Sequence, residues 1–107
     1  MLKHIVMWKF APEAEGKTRE ENLDYVIGEL KKLPAQIPQI RSMQIGKDVL
    51  GSEMSYDCGL IVEFDSLDDM RIYKDHPLHA AVSQYVKKVR TDRATVDFGN
   101  VKSYAQN

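Results

Sequence analysis

The residue types best suited to chemistry lie together in one short segment, Tyr73-Lys-Asp-His76-Pro77-Leu78-His79. Histidine titrates near neutral pH, which makes it the most frequent general acid or base. A tyrosine hydroxyl can donate a hydrogen bond to a carbonyl oxygen while negative charge develops on that oxygen. Tyr73 and His79 could therefore assist an enolisation or an aldol-type ring closure without a metal or a cofactor.

Pro77 determines how these side chains can be arranged. A proline inside a helical pattern removes an amide donor and disfavours helix in the residue before it. The same proline suits the first position of a new helix. Side chains on either side of such a break need not follow one helical face. His76 and His79 can therefore point into the same space.

A third histidine, His4, lies in an alternating segment and shares a strand face with Val6 and Trp8. If this face lies under the helices, His4 points towards Tyr73 and His79. A polar side chain on an apolar face needs a partner, which we expect either in the region of the second helix or in a bound ligand. The residues expected to line a pocket beside the catalytic candidates are His4, Trp8, Cys58 and His76.

Each candidate also has an ordinary structural interpretation. Tyr73 could be a core aromatic residue whose hydroxyl reaches the backbone, and Cys58 a small buried apolar residue. His76 could cap the helix that follows it, and His79 could be a buried polar group with a satisfied hydrogen bond. The Lys87-Lys88-Val89-Arg90 run fits a solvated helix end, where cations interact favourably with the helix dipole.

The composition excludes several classes of protein. A chain of 107 residues with 43% hydrophobic residues fits one domain, which we expect to span residues 1–107. Fifteen basic and sixteen acidic residues give no general attraction for nucleic acid. A single cysteine excludes an internal disulfide, and no metal-ligand spacing is present. Lys3 and Lys9 interrupt the first apolar segment, so we expect no signal peptide, no membrane span and a soluble, cytoplasmic protein.

Periodicity predicts the order β-α-β-β-α-β. Alternation over two residues indicates strands, and apolar residues three or four apart indicate helices. Thr18 and Glu21 form a capping box before the first helix, and Ser66 is a cap signal before the second. The predicted strands cover residues 2–10, 41–49, 57–65 and 91–101; Pro34 ends the first helix, and the second continues past Pro77 to Val89.

This order is typical of an α+β, ferredoxin-like domain, in which a four-stranded antiparallel sheet carries its helices on one face. The other sheet face would then expose Ile5, Met7, Ile61 and also Ile45. An exposed apolar patch of this kind usually marks an interface. We therefore expect a homodimer in which two such faces pack together and close an α/β barrel.

Four stretches of the chain resemble the stress-responsive A/B barrel (Dabb) family. Lys3-His4-Ile5-Val6 with Trp8-Lys9-Phe10 is similar to its first strand, and Tyr73-x-x-His76-Pro77-x-His79 to its most recognisable motif. The other two stretches are similar to the end of its second strand and to its third strand: Gly46-Lys47-Asp48-Val49 and Val62-Glu63-Phe64-Asp65-Ser66. The resemblance implies a ferredoxin-like fold and a dimeric α/β barrel.

The resemblance implies less about activity. Many members carry only a stress-response label, whereas a plant polyketide cyclase of the family uses the tyrosine and the second histidine of the motif. On that pattern Tyr73 would orient the substrate and His79 would be the base. His4 matches a further pocket histidine of that enzyme. Cys58 stands where the enzyme has another histidine, which puts the particular substrate in doubt.

Three functions follow as alternatives. The chain could be a small-molecule-binding dimer without chemistry of its own, or a cofactor-free enzyme that uses Tyr73 and His79 as an acid/base pair. It could also resemble the monooxygenases of the wider dimeric α/β barrel group. The space between helices and sheet separates these alternatives. A core filled by Trp8, Phe64 and Tyr85 would leave no substrate site, whereas a cavity of several hundred cubic ångströms that reaches His79 would provide one.

Overall fold

The computed structural model describes residues 1–100 and residue 104. The predicted order of the main elements is confirmed, and so is the predicted break at Pro77, which divides the second helix into α2 and α3. A small hairpin (β2 and β3) before the first helix and a short 3-10 helix after it were not predicted. Val101, which the predicted last strand included, lies outside the described residues. The elements are β1 (Leu2–Phe10), β2 (Glu13–Ala14), β3 (Lys17–Thr18), α1 (Arg19–Leu30), a short 3-10 helix (Leu33–Ala35), β4 (Ser42–Lys47), β5 (Cys58–Phe64), α2 (Leu67–Asp75), α3 (Pro77–Val89) and β6 (Arg90–Phe98).

Local capping interactions fix where the helices begin. The Thr18 hydroxyl accepts a hydrogen bond from the Glu21 amide, and the Glu21 carboxylate accepts one from the Thr18 amide. The Ser66 hydroxyl accepts from the Asp69 amide in the same way at the start of α2, at 3.1 Å. These bonds satisfy amides that have no partner inside the helix. The two cap signals read from the sequence are thus confirmed.

The four long strands form one antiparallel sheet in the order β4-β5-β1-β6. β1 lies in the interior of the sheet, where Ile5 is opposite Ile61 on one side and opposite Val96 on the other. His4 is opposite Val62 and Asp97. This register places β6, an edge strand, directly beside the strand that carries His4.

Successive strand residues alternate between a covered face and an open face. The covered face packs against the helices and forms the core, in which Leu23 and Val26 of α1 meet Val86 and Val89 of α3. The apolar strand residues with the lowest exposure on this face are Val6, Phe10, Leu60, Val62 and Phe64.

The open face carries the apolar residues of three adjacent strands, and it corrects one prediction. Ile45 was expected on this face, but it pairs with Leu60 and packs against the core. Alternation shows which residues share a face, whereas the pairing with β5 decides which face is covered. In its place β6 contributes Val96 and Phe98, which remain 52% and 40% exposed.

No helix within the described part of the chain is both long enough and apolar enough to cross a bilayer.

Candidate functional site

The break between α2 and α3 is built by His76 and Pro77. His76 has an extended backbone (φ −63°, ψ 133°), and Pro77 is the first residue of α3. The His76 Nδ1 accepts a hydrogen bond from the Leu78 amide at 3.1 Å. His76 therefore caps α3, which is the structural interpretation of this residue, and it does not line the cavity described below.

Tyr73 lies in the last turns of α2 and is completely buried. Its ring packs between Phe64 and His79, with ring centres 5.1 Å and 4.4 Å away, and it approaches the His4 ring edge-on at 6.4 Å. Burial raises the pKa of the Tyr73 hydroxyl above its usual value, so the hydroxyl keeps its proton at neutral pH. Among the residues that the structure describes, this hydroxyl has no hydrogen-bond partner. It is a buried donor without an acceptor.

His79, on the first turn of α3, is half-buried beside Tyr73. Its Nδ1 lies 3.2 Å from the Lys74 backbone oxygen. Because a carbonyl oxygen only accepts, Nδ1 carries the proton, and Nε2 of the neutral ring is left as the acceptor. Burial lowers the pKa of His79; the bond to Lys74 acts in the opposite direction, and the charges of His4, Lys74 and Arg93 lower the pKa further. His79 is therefore a neutral ring with a basic nitrogen at pH 7.

His4 is almost completely buried at the centre of the sheet, and its Nδ1 is hydrogen-bonded to the Asp97 carboxylate on β6. Burial is the largest influence on the pKa of His4 and lowers it, although the bond to Asp97 acts in the opposite direction. Sequence reasoning expected the partner of His4 in the second helix or in a ligand, which was wrong. The partner lies on the neighbouring strand because the β1–β6 register sets Asp97 opposite His4.

A cavity of about 420 Å³ lies between the helices and the covered face of the sheet. It brings together four of the predicted site residues: His4, Trp8, Tyr73 and His79. Its apolar wall is formed by Val6, Leu30, Leu60 and Val86. Trp8 forms part of the wall and does not fill the space, while Phe64 and Tyr85 do not line it. The cavity thus has the size and the access to His79 that a ligand site requires.

The structure does not bring Cys58 to this cavity. Cys58 begins β5, opposite Trp8, and is buried. Burial raises the pKa of its thiol to about 12, so the thiol is neutral and unreactive at physiological pH. Within residues 1–100 and residue 104, no group of three or more histidine, cysteine or acidic side chains could hold a metal ion.

Sequence reasoning missed a set of basic residues at the cavity. Lys87 and Arg90 line it, whereas Lys88 between them does not. Lys74 of α2 and Arg93 of β6 join them from other elements. The sequence signal was the basic run at the end of α3, which includes Lys87 and continues to Arg90 at the start of β6. No pattern in the sequence around Arg93 indicated that β6 would reach the cavity.

The fold and this cavity define a ferredoxin-like α+β domain with a ligand-sized site under its helices. The chain belongs to the stress responsive A/B barrel domain family, whose sequence profile matches residues 2–100. This match confirms the family resemblance of the four sequence stretches. Among curated proteins no match to the chain was found.

Solved structures with the same fold include proteins of this kind from bacteria and plants. A dimeric protein of unknown function with a ferredoxin-like fold from Bacteroides fragilis is 34% identical, with 91% of this chain and 93% of that chain covered and a TM-score of 0.72. A dimeric ferredoxin-like protein of unknown function from Thermobifida fusca is 30% identical, with 91% and 88% covered and a TM-score of 0.77. A hydroxynitrile lyase from Passiflora edulis is 12% identical, with 97% and 96% covered and a TM-score of 0.77, and this likeness shows the fold alone.

Proposed function

We propose that this chain is a small-molecule-binding homodimer whose ligand occupies the cavity between helices and sheet. The observation that carries the proposal is the hydroxyl of Tyr73: this residue lines the cavity, and its buried hydroxyl has no partner among the described residues. Leaving a buried polar group unpaired costs about 1–3 kcal/mol. A carbonyl or hydroxyl oxygen of a ligand would accept this hydrogen bond and remove the cost.

The rest of the cavity fits the same kind of ligand. Binding sites for small molecules are mainly apolar, with a few polar groups that fix orientation. Here the apolar wall includes Val6 and Leu60, and the polar groups include Tyr73 and the unprotonated nitrogen of His79. A compact apolar or aromatic body with one oxygen acceptor matches this arrangement.

The open sheet face supports the homodimer. Its apolar side chains include Ile5, Met7, Ile61, Val96 and Phe98, which adjoin one another on three paired strands. Related structures from Bacteroides fragilis and Thermobifida fusca are described as dimeric. Two such faces packed together would bury these side chains and close a barrel. A cytoplasmic location, which the free thiol of Cys58 suits, and the role in stress that the family's description names are part of the same proposal.

A ligand screen with two matched variants tests the cavity. Compounds that bind only the folded state raise the melting temperature, increasingly so at higher concentration. A library of small ketones, phenols and polyketide-like compounds should contain members that stabilise the wild type. Ser83→Leu, at a half-buried residue lining the cavity, should abolish this shift, whereas Gln84→Leu, at its exposed neighbour on α3, should preserve it. Equal shifts in both variants, or no shift with any compound, would contradict the proposal.

A second candidate function is acid/base catalysis, and the contact between the Tyr73 and His79 rings favours it. Nε2 of neutral His79 could take a proton from the carbon next to a carbonyl group. The C–H electron pair would form the carbon–carbon double bond of an enolate, and the Tyr73 hydroxyl would stabilise the negative oxygen. The proton would then reside on His79 and return when the new bond has formed.

If this chemistry occurs, turnover of a carbonyl substrate should depend on neutral His79. Because burial lowers the pKa of His79 below 6.5, activity should persist at pH 6.5 and fall only as the pH drops through the lowered pKa. His79→Ala should reduce kcat by roughly 10²–10⁴-fold. His76→Asn, which replaces a helix cap with another capping residue, should leave kcat unchanged. Equal kcat in wild type and His79→Ala would reject the catalytic role and leave binding as the function.

A further inference from the structure

We propose that the ligand of this cavity is a small organic anion, an apolar body that carries one carboxylate or phosphate group. This inference rests on the proposed binding function and specifies the chemical class of the ligand. Among the residues that the structure describes, no acidic side chain lines the cavity, whereas four basic ones do: Lys74, Lys87, Arg90 and Arg93.

Several basic residues elsewhere on the chain form ion pairs with acidic side chains. Lys47 is paired with Glu20 and Asp24, and Arg41 with Asp65. Within the described residues, none of the four basic side chains at the cavity has an acidic partner within ion-pair distance. The chain as a whole has nearly equal numbers of basic and acidic residues. The cavity is therefore a local concentration of positive charge without counter-charge, which attracts anions.

The strand register places the two arginines at a distance from His4 along β1. Arg93 is opposite Trp8 and Arg90 opposite Phe10, whereas Asp97 is opposite His4. His4 and Trp8 are four residues apart on β1, so their backbone positions differ by about 13 Å at the usual rise of a strand. An acidic group held by the arginines would leave the opposite end of the ligand beside Tyr73 and His79.

Stabilisation of the α3 terminus does not account for this arrangement. Cations near the C-terminal end of a helix interact favourably with its dipole, and this effect accounts for the positions of Lys87 and Lys88 equally well. The dipole does not explain why Lys74 of α2 and Arg93 of β6 line the same cavity from different elements. Arginine side chains bind carboxylate and phosphate groups through parallel N–H donors. A basic residue that only contacts solvent does not need this donor geometry.

The buried hydroxyl of Tyr73 is an independent indication of a ligand in this space, since Tyr73 lines the same cavity and its hydroxyl has no partner in the described part of the chain. The positive charge also reaches both histidines, because Lys74 and Arg93 each lower the pKa of His4 and of His79. The carboxylate bonded to His4 in this region is that of Asp97. A bound anion would offset the charges of Lys74 and Arg93 and raise the pKa of His79.

Three probes with the same naphthalene body and different charge test this inference: 2-naphthoate, 2-naphthamide and 2-naphthyl phosphate. Their dissociation constants would be measured by NMR titration, with the signals of Tyr73 and His79 reporting the site. At low salt, one or both anions should bind at least about tenfold more tightly than the amide, and the preference should shrink at high salt because ions screen the attraction. The stronger anion identifies the acidic group. The pKa of His79 should rise in the anion complex and not in the amide complex.

Variants assign the preference to particular residues. Arg90→Gln with Arg93→Gln should bring the anion and amide affinities within about twofold, with no loss of folding expected at these partly exposed positions. Lys88→Gln, which removes one positive charge at the end of α3 outside the cavity, should retain the full preference. A preference that survives in the double variant would overturn the inference. If all three probes bind equally well and shift the NMR signals of Tyr73 and His79, the inference of an anionic ligand is also overturned, while the proposed binding function stands. If no probe shifts these signals at millimolar concentration, both the anionic ligand and the binding function are rejected.

Discussion

Ile61→Glu should convert the proposed homodimer into a monomer. Ile61 lies in the middle of the open face, opposite Ile5 on β1 and Gln44 on β4. Packing this face against a second copy would bury an ionised carboxylate without a partner, a cost of several kcal/mol for each of two symmetric copies. At ~25 cal/mol per Å², burial of ~600–800 Å² of apolar area contributes on the order of 15 kcal/mol before association costs. Light scattering at micromolar concentration should give the mass of two chains for the wild type and of one chain for the variant.

Ile72→Glu is the matched control for this experiment. Ile72 is an exposed apolar residue on α2, away from the open face, and 46% of its surface is accessible. The same substitution there should leave the mass of two chains unchanged. A monomeric wild type, or a dimer that dissociates with Ile72→Glu and not with Ile61→Glu, would show that the open sheet face is not the interface.

Those parts of the fold that depend on neighbouring residues could be predicted from the sequence. The Thr18 and Ser66 caps each act within three residues, and the break at Pro77 follows from a missing amide. Alternation along β1 correctly grouped His4, Val6 and Trp8 on the covered face. In each case the residues that determine the structure are close together in the chain, so their types and spacing were sufficient.

The parts that depend on strand pairing could not be predicted in this way. His4 and Asp97 are far apart in sequence, and only the β1–β6 register brings them together. Ile45 was placed on the wrong face because its alternation fits either side until the pairing with β5 is known. The same limit applies to Arg93, which reaches the cavity only because β6 returns beside β1. The charge of the site is thus a property of the tertiary fold.

Tyr73→Phe should make the protein without ligand more stable and weaken ligand binding by tenfold or more. The substitution keeps the packing of the ring against Phe64 and His79 and removes only a buried hydroxyl that has no partner in the described residues. Removing such a group recovers about 1 kcal/mol of the cost of its burial. The bound ligand would lose its hydrogen-bond donor in the same variant. Denaturant unfolding measures the first effect, and titration with a ligand found in the screen measures the second.

Tyr85→Phe deletes the same single oxygen atom, but from a tyrosine whose hydroxyl is hydrogen-bonded. The Tyr85 hydroxyl donates a hydrogen bond to the Asn22 side-chain oxygen, and Asn22 is fully buried. Its removal leaves that oxygen unpaired, so this variant should lose about 1–2 kcal/mol of stability. The change in the free energy of unfolding should have opposite signs in the two variants. Because both substitutions conserve the packing of the ring, the difference is due to whether the hydroxyl has a hydrogen-bond partner. If Tyr73→Phe is destabilised as much as Tyr85→Phe, then the Tyr73 hydroxyl is satisfied within the protein and does not await a ligand.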